Sequence, residues 1–383
     1  MVDSGSHADR RASQPVGLSN RAALFAVIVA FLVGVVGSLA LRPTSRIVAT
    51  TEASGSAAPT LRWRLPVSFA TNLPALGDNA LFVAERLHAA SDGRMTLEVF
   101  EPGEVVPALG VAEAVSAGKV EAGYTWVGYE EGRIPASVLF GSVPFGMEPW
   151  EYLAWWYHGG GQALGEKVFA PHDVHPVLCG IVGPETAGWF REEITSLDDI
   201  DGLKIRFAGL GGKVLQRLGA SVTMLAGGEI FQALDRGAID ASEYSLPSSD
   251  TLLGFDRIVS NNYFPGWHQP STAAHLVVNR QEWEALSRRD QAMIENACGA
   301  GVSNSLAHAE AAQGPVLRGY PERGVQARTL PTPLLRELER VANELLDDEA
   351  ARDSLFAEVL AAQRAFRAEY AEWKSLGFLP RDF

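Results

Sequence analysis

The chain has 383 residues, 47% hydrophobic and 20% charged, an ordinary globular composition with length for about two domains. Its net charge of −14 excludes nucleic acid and anionic membrane surfaces as partners, because phosphate binding needs clustered Lys and Arg. The only two cysteines, Cys179 and Cys298, lie far apart without CxxC spacing; this excludes a disulfide framework and favours two free, buried thiols over a single bridge.

At the amino terminus, Arg10, Arg11 and Arg21 precede an uncharged run at 22–41, and a Ser/Ala-rich stretch follows. Residues 1–21 therefore read as a basic cytoplasmic region, 22–41 as a signal peptide or membrane anchor, 42–59 as a flexible linker and 60–383 as the exported domain. The run is long enough to span a bilayer, while Ser38-Leu39-Ala40 offers a small-residue cleavage site. Arginines before the run put the bulk of the chain outside the cytoplasm in either case. No cysteine lies near the run, which excludes a lipoprotein.

Beyond the linker, residues 61–67 read as a strand, 80–91 as a helix and 95–100 as a strand, an alternation that predicts an α/β fold. A faint internal repeat follows: residues 114–122 (AVSAGKVEA) align with 233–241 (ALDRGAIDA). Each copy reads as a short helix stopped by a glycine, Gly118 or Gly237, and then a strand. Ligands of open α/β sheets bind beyond the carboxyl ends of strands, so residues 123–126 and 242–245 are predicted to face each other across a cleft. Tyr124, Trp126, Glu243 and Tyr244 thereby become candidate site residues.

Residues 204–208 read as a strand carrying Arg206, followed by glycines at 209, 211 and 212 and a helix over 213–218. Backbone N–H groups near Gly211, at a helix start, favour an anion, and Arg206 can add a bidentate clamp on a carboxylate. The alternative for Arg206 is a structural ion pair with Asp199 or Asp201. There is neither a P-loop nor a full GxGxxG, which disfavours nucleotides. His172 and His175 lie three apart in a Pro-flanked loop that offers no helix face for a metal, and no GxSxG elbow or HExxH motif supports catalysis, so the chain does not read as an enzyme. Towards the carboxyl terminus, residues 334–346 and 350–373 form amphipathic helices, with Phe366, Tyr370 and Trp373 as a candidate seam for a homodimer.

Several ordered stretches resemble the solute receptors of TRAP transporters, in the DctP-like branch that takes 2-oxo acids. They are residues 103–107 (GEVVP), 143–147 (VPFGM), 188–190 (GWF), 202–206 (GLKIR), 228–234 (GEIFQAL) and 263–267 (YFPGW). The resemblance implies a two-lobed periplasmic binding protein fold with interleaved crossing segments, a ligand cleft between the lobes and a long connecting helix, here 290–314. It also implies membrane permease subunits as partners, and a small carboxylate ligand held by Arg206 beside Ca²⁺ or Na⁺. Glu243 matches the metal-binding acid, and the main-chain carbonyl of Tyr244 would assist it; oxygen donors of this kind suit hard cations.

The chain departs from this branch at three positions: Tyr244 replaces Trp, Glu185 replaces Gln before the GWF stretch, and His268-Gln269 stands where an acid is expected. Glu185 is therefore assigned to the carboxylate site and Gln269 to the metal. A membrane-anchored sensor of the same ligand is the alternative function, favoured if 22–41 stays uncleaved; an extracytoplasmic hydrolase is the remaining one.

Overall fold

The computed structural model describes residues 60–379; the run 22–41 and the linker 42–59 lie outside the described residues. No helix among the described residues is long and apolar enough to cross a membrane. In chain order the strands are β1 (Leu61–Pro66), β2 (Met95–Phe100), β3 (Ala122–Thr125), β4 (Val174–Val182), β5 (Gly188–Phe190), β6 (Lys204–Arg206), β7 (Ser221–Thr223), β8 (Ala241–Ser242), β9 (Asn261–Phe264), β10 (Thr272–Asn279) and β11 (Gln326–Thr329).

The sequences of β4 and β10 are nearly continuous apolar runs, and both are buried almost throughout, as strands covered on two faces require. They pair antiparallel, and β3 pairs with the other side of β10. β1 and β2 pair in parallel and join this sheet through a bridge from Val67 to Tyr124. The second lobe is built on a six-stranded mixed sheet in the order β11-β9-β5-β8-β6-β7.

Crossing segments stitch the lobes together. The chain leaves β4 for β5 through residues 183–187 and returns from β9 to β10 through 265–271. A 31-residue helix, Arg288–Arg318, then runs back toward β11, covering the predicted connecting helix and exceeding it at both ends. Its amino terminus is capped by Ser287, whose hydroxyl accepts from the Asp290 N–H at 3.2 Å. The predicted carboxyl-terminal helices are Thr332–Arg352, which packs on helix Gly209–Arg217 of the second lobe, and Ser354–Gly377, which packs on helix Pro149–His158 of the first.

The cysteines correct the sequence reading: Cys179 of β4 and Cys298 of the long helix are joined in a buried disulfide. Close approach of helix and strand makes this feasible. A Cβ at Gly301 would lie 2.6 Å from the Cys179 carbonyl oxygen, so glycine is what allows the helix backbone to settle onto β4. Spacing along the chain, 119 residues, carries no trace of that contact.

Candidate functional site

The repeat inferred from the sequence takes physical form in two matching turns. Gly118 and Gly237 both have φ of +66°. In the first copy the N–H groups of Gly118 and Lys119 donate to the carbonyls of Val115 and Ala114; in the second, those of Gly237 and Ala238 donate to Leu234 and Ala233. Each turn feeds a strand, β3 or β8, whose carboxyl end points at the interlobe cavity.

In β6 Lys204 is exposed while Ile205 and Arg206 are buried; Lys204 and Arg206 share one face of the pleat, so it is the position of Arg206 at the carboxyl end of the strand that buries its guanidinium. Arg206 is only 1% exposed. Its Nη1 donates to the main-chain oxygen of Glu243 and, at 2.8 Å, to Glu243 Oε2, while Nε donates to the Leu225 carbonyl at 3.2 Å. The Tyr244 ring lies 5.4 Å from the guanidinium carbon, within cation–π range. The partner of Arg206 is therefore Glu243, and neither Asp199 nor Asp201 bonds to it; Asp199 instead caps the 195–196 turn.

The carboxylates of the site are driven in opposite directions. Burial raises the Glu243 carboxyl, but the Arg206 charge, His268 and the Ala208 N–H outweigh it and hold the group below the usual carboxylate range. Glu185 has no such cation beside it, and burial followed by the Glu243 charge pushes it well up. Behind them, burial pushes Asp250 up to about 8 even though its oxygens accept from Trp189 Nε1 and the Ser245 N–H.

Glu185 and Gln269 lie on the two crossing segments, tied by a hydrogen bond from the Glu185 N–H to the Gln269 carbonyl at 3.2 Å. The ends of β6 and β8 bring Arg206, Glu243 and Tyr244 to the same cavity. From the first lobe come Phe69, Leu76, Trp126 and Tyr129, with Trp126 and Tyr129 in edge-to-face contact at 5.1 Å. The cavity is small, about 20 Å³. That is room for about one water molecule.

Two predicted residues are placed elsewhere. Tyr124 lies in the core of the first lobe, its hydroxyl accepting from Asn79 Nδ2 at 3.0 Å. Gly211 sits behind the cavity, where a Cβ would meet Phe207 and come within 2.7 Å of His268 Cβ. It makes room for side chains and does not touch the cavity. Phe69, Leu76, Tyr129 and Thr272 line the cavity without having been singled out in the sequence. For Phe69 the signal was available, because it follows the carboxyl end of β1 beside β3.

The donor set fits a cation. Glu185 Oε2, Glu243 Oε1 and Gln269 Oε1 are buried and have no hydrogen-bond partner. Ligating atoms of Glu185, Glu243 and His268 all lie within 4.8 Å of one another. Buried acceptors left unpaired are costly, and a bound cation would satisfy them together.

Comparison with known proteins agrees with this architecture. A monocarboxylate 2-oxoacid-binding periplasmic protein of Nostoc sp. is 34% identical over 340 residues, covering 88% of this chain and 93% of its own. A TRAP transporter solute-binding protein of Bordetella bronchiseptica, solved as a mixed-occupancy dimer with calcium and picolinate, superposes with a TM-score of 0.81 at 30% identity, over 82% of this chain and 94% of that one. A TRAP periplasmic solute-binding protein of Pseudoalteromonas atlantica, solved with sodium and pyruvate, superposes at 0.79 with 31% identity, over 82% and 96%. The profile of bacterial extracellular solute-binding protein family 7, DctP, matches residues 68–353, and the chain belongs to that family.

Proposed function

We propose that this protein is the extracytoplasmic solute receptor of a TRAP-type transporter, capturing a small organic carboxylate of the 2-oxo acid class together with Ca²⁺ or Na⁺ and delivering it to membrane permease subunits. The observation that carries this reading is the buried Arg206 beside carboxylate and amide oxygens that lack partners. Arg206 supplies charge-assisted hydrogen bonds to the ligand carboxylate. Glu185, Glu243 and Gln269 hold the cation, with the main-chain carbonyl of Tyr244 beside them. A bound cation contributes the positive charge that lets acidic side chains and an anionic ligand share one desolvated site. Phe69, Trp126 and Tyr129 close over the ligand and exclude water.

Residues 22–41 export the domain, as a cleaved signal or a tether, to the periplasmic side. The buried Cys179–Cys298 disulfide suits an oxidising compartment. A homodimer through the carboxyl-terminal helices would use the last turns, where Trp373 is 60% exposed and Leu376 77%. Phe366 and Tyr370 stack on each other instead, and Phe366 also packs beside Gly159.

The test is a thermal shift of the purified protein with 2-oxo acids, 2-hydroxy acids, dicarboxylates and sugars, each with Ca²⁺, Na⁺ or chelator. A rise in melting temperature with 2-oxo acids that weakens under chelator is expected. Arg206→Ala should cost roughly 2–5 kcal/mol of binding, the penalty for removing one partner of a buried charge contact. A response to sugars alone would sink the reading.

A further inference from the structure

Within that proposed site, we propose that His268 is a fourth donor to the cation, making this a site for a borderline divalent transition metal such as Zn²⁺ or Co²⁺ in preference to Ca²⁺ or Na⁺. His268 lies on the crossing segment between β9 and β10 and is 2% exposed. Its ring is wedged edge-on against Phe207 at 4.6 Å and Trp267 at 5.6 Å, and the missing side chain of Gly211 leaves space for its Cβ. The imidazole is therefore fixed in orientation.

Neither ring nitrogen has a hydrogen-bond partner. Burial of a polar ring with both nitrogens unpaired is unfavourable unless something else occupies one of them. Nε2 points at the acids, 3.5 Å from Glu243 Oε1 and 4.0 Å from Glu185 Oε2. Donors bound to one ion at about 2.0–2.2 Å stand roughly 3–4.4 Å apart, so both separations suit a shared metal.

Donor chemistry then selects the ion. An imidazole beside two carboxylates and the Gln269 amide oxygen suits zinc-like ions, whereas Ca²⁺ and Na⁺ prefer an all-oxygen shell. Charge argues only against Na⁺: with both acids ionised on the metal, Glu185, Glu243 and the ligand carboxylate against the single Arg206 leave two negative charges, which any divalent ion cancels and Na⁺ only halves.

The experiment uses the full-length protein, stripped of metal with chelator and titrated with Zn²⁺, Co²⁺ and Ca²⁺ by calorimetry before any carboxylate is added. Zn²⁺ and Co²⁺ are expected to bind at least about tenfold tighter than Ca²⁺, with Co²⁺ developing visible absorption bands. His268→Gln is expected to abolish that preference and change the Co²⁺ spectrum. Equal Co²⁺ and Ca²⁺ affinities in the wild type would overturn the proposal, as would an unchanged Co²⁺ affinity and spectrum in the variant. Should the variant fail to fold, the wild-type affinity ratio alone decides. A zinc preference without 2-oxo acid binding in any ion would support His268 as a donor and count against the receptor reading.

Discussion

The two copies of the helix–glycine–strand unit differ most at one aligned position. In the first copy it is Tyr124, in the second Glu243, and both are 1% exposed. The surroundings correspond closely: Glu121 accepts from the main-chain N–H of Arg64, and the aligned Asp240 accepts from that of Lys204. Yet Tyr124 is satisfied inside its own lobe by Asn79, while Glu243 is paired to Arg206 and keeps one oxygen unpartnered toward the cavity. One backbone device thus serves packing in one lobe and charge in the other. Fold and site chemistry are separable at this level, and the side chain at the strand end decides between them.

The sharpest way to break this contrast is to truncate both positions. Glu243→Ala leaves Arg206 buried without its anion, and loss of one partner from a buried pair costs about 3–5 kcal/mol of stability. Metal-dependent ligand binding should disappear with it. Tyr124→Phe removes a single neutral hydrogen bond, worth about 0.5–1.5 kcal/mol, because Asn79 Nδ2 still donates to the Cys179 carbonyl at 2.9 Å. Urea denaturation of both variants in chelator checks the ratio. Equal losses would mean that Glu243 is no more charged in the folded state than Tyr124.

Much of this frame was legible in the sequence, for reasons that particular residues expose. β1 and β2 were readable from their apolar patterns, whereas the long helix, interrupted in sequence by Gly299, Gly301 and Gly314, was expected only from the family resemblance. The repeat was readable because a positive φ demands glycine at 118 and 237 alike. What was not legible depends on tertiary contact. The disulfide follows from Gly301 letting a helix settle on β4, and the helix that begins at Gly209 overrides the poor helix propensity of its glycines. The pattern after Gly118 places Tyr124 beyond the end of a strand, whereas β3 continues through Thr125 and turns that ring into the core.

A second contrast between the lobes concerns pH. In the first lobe His275 of β10 is buried beside Trp156 with no partner for either ring nitrogen, and burial lowers its pKa to about 3. Unfolded, it titrates near 6.5. The unfolded state therefore binds the extra proton, so the stability tied to neutral His275 is complete above about pH 6.5 and is lost as pH falls toward 3. Between pH 6.5 and 4.5 the expected loss is roughly 2–3 kcal/mol. Asp250 in the second lobe acts in the opposite sense, its raised pKa making stability fall as pH climbs from the ordinary carboxylate range through about 8. His275→Gln should flatten the acid limb in chelator and leave the alkaline limb intact. An unchanged acid limb would assign that loss to other groups.

The smallest expected effect tests whether the two copies are energetically alike as well as geometrically alike. At Gly118 and Gly237 a Cβ would meet nothing within 4 Å, so Gly→Ala adds no clash at either site. Only the left-handed backbone opposes the side chain, at about 1 kcal/mol per residue. The two variants should therefore lose the same stability within about 0.5 kcal/mol, and neither should alter ligand affinity, because the turns lie at the opposite end of β3 and β8 from the cavity. A markedly larger loss at Gly237 would show that strain in the second copy reaches Glu243 through β8, and the separation of scaffold from site chemistry would then fail in that lobe.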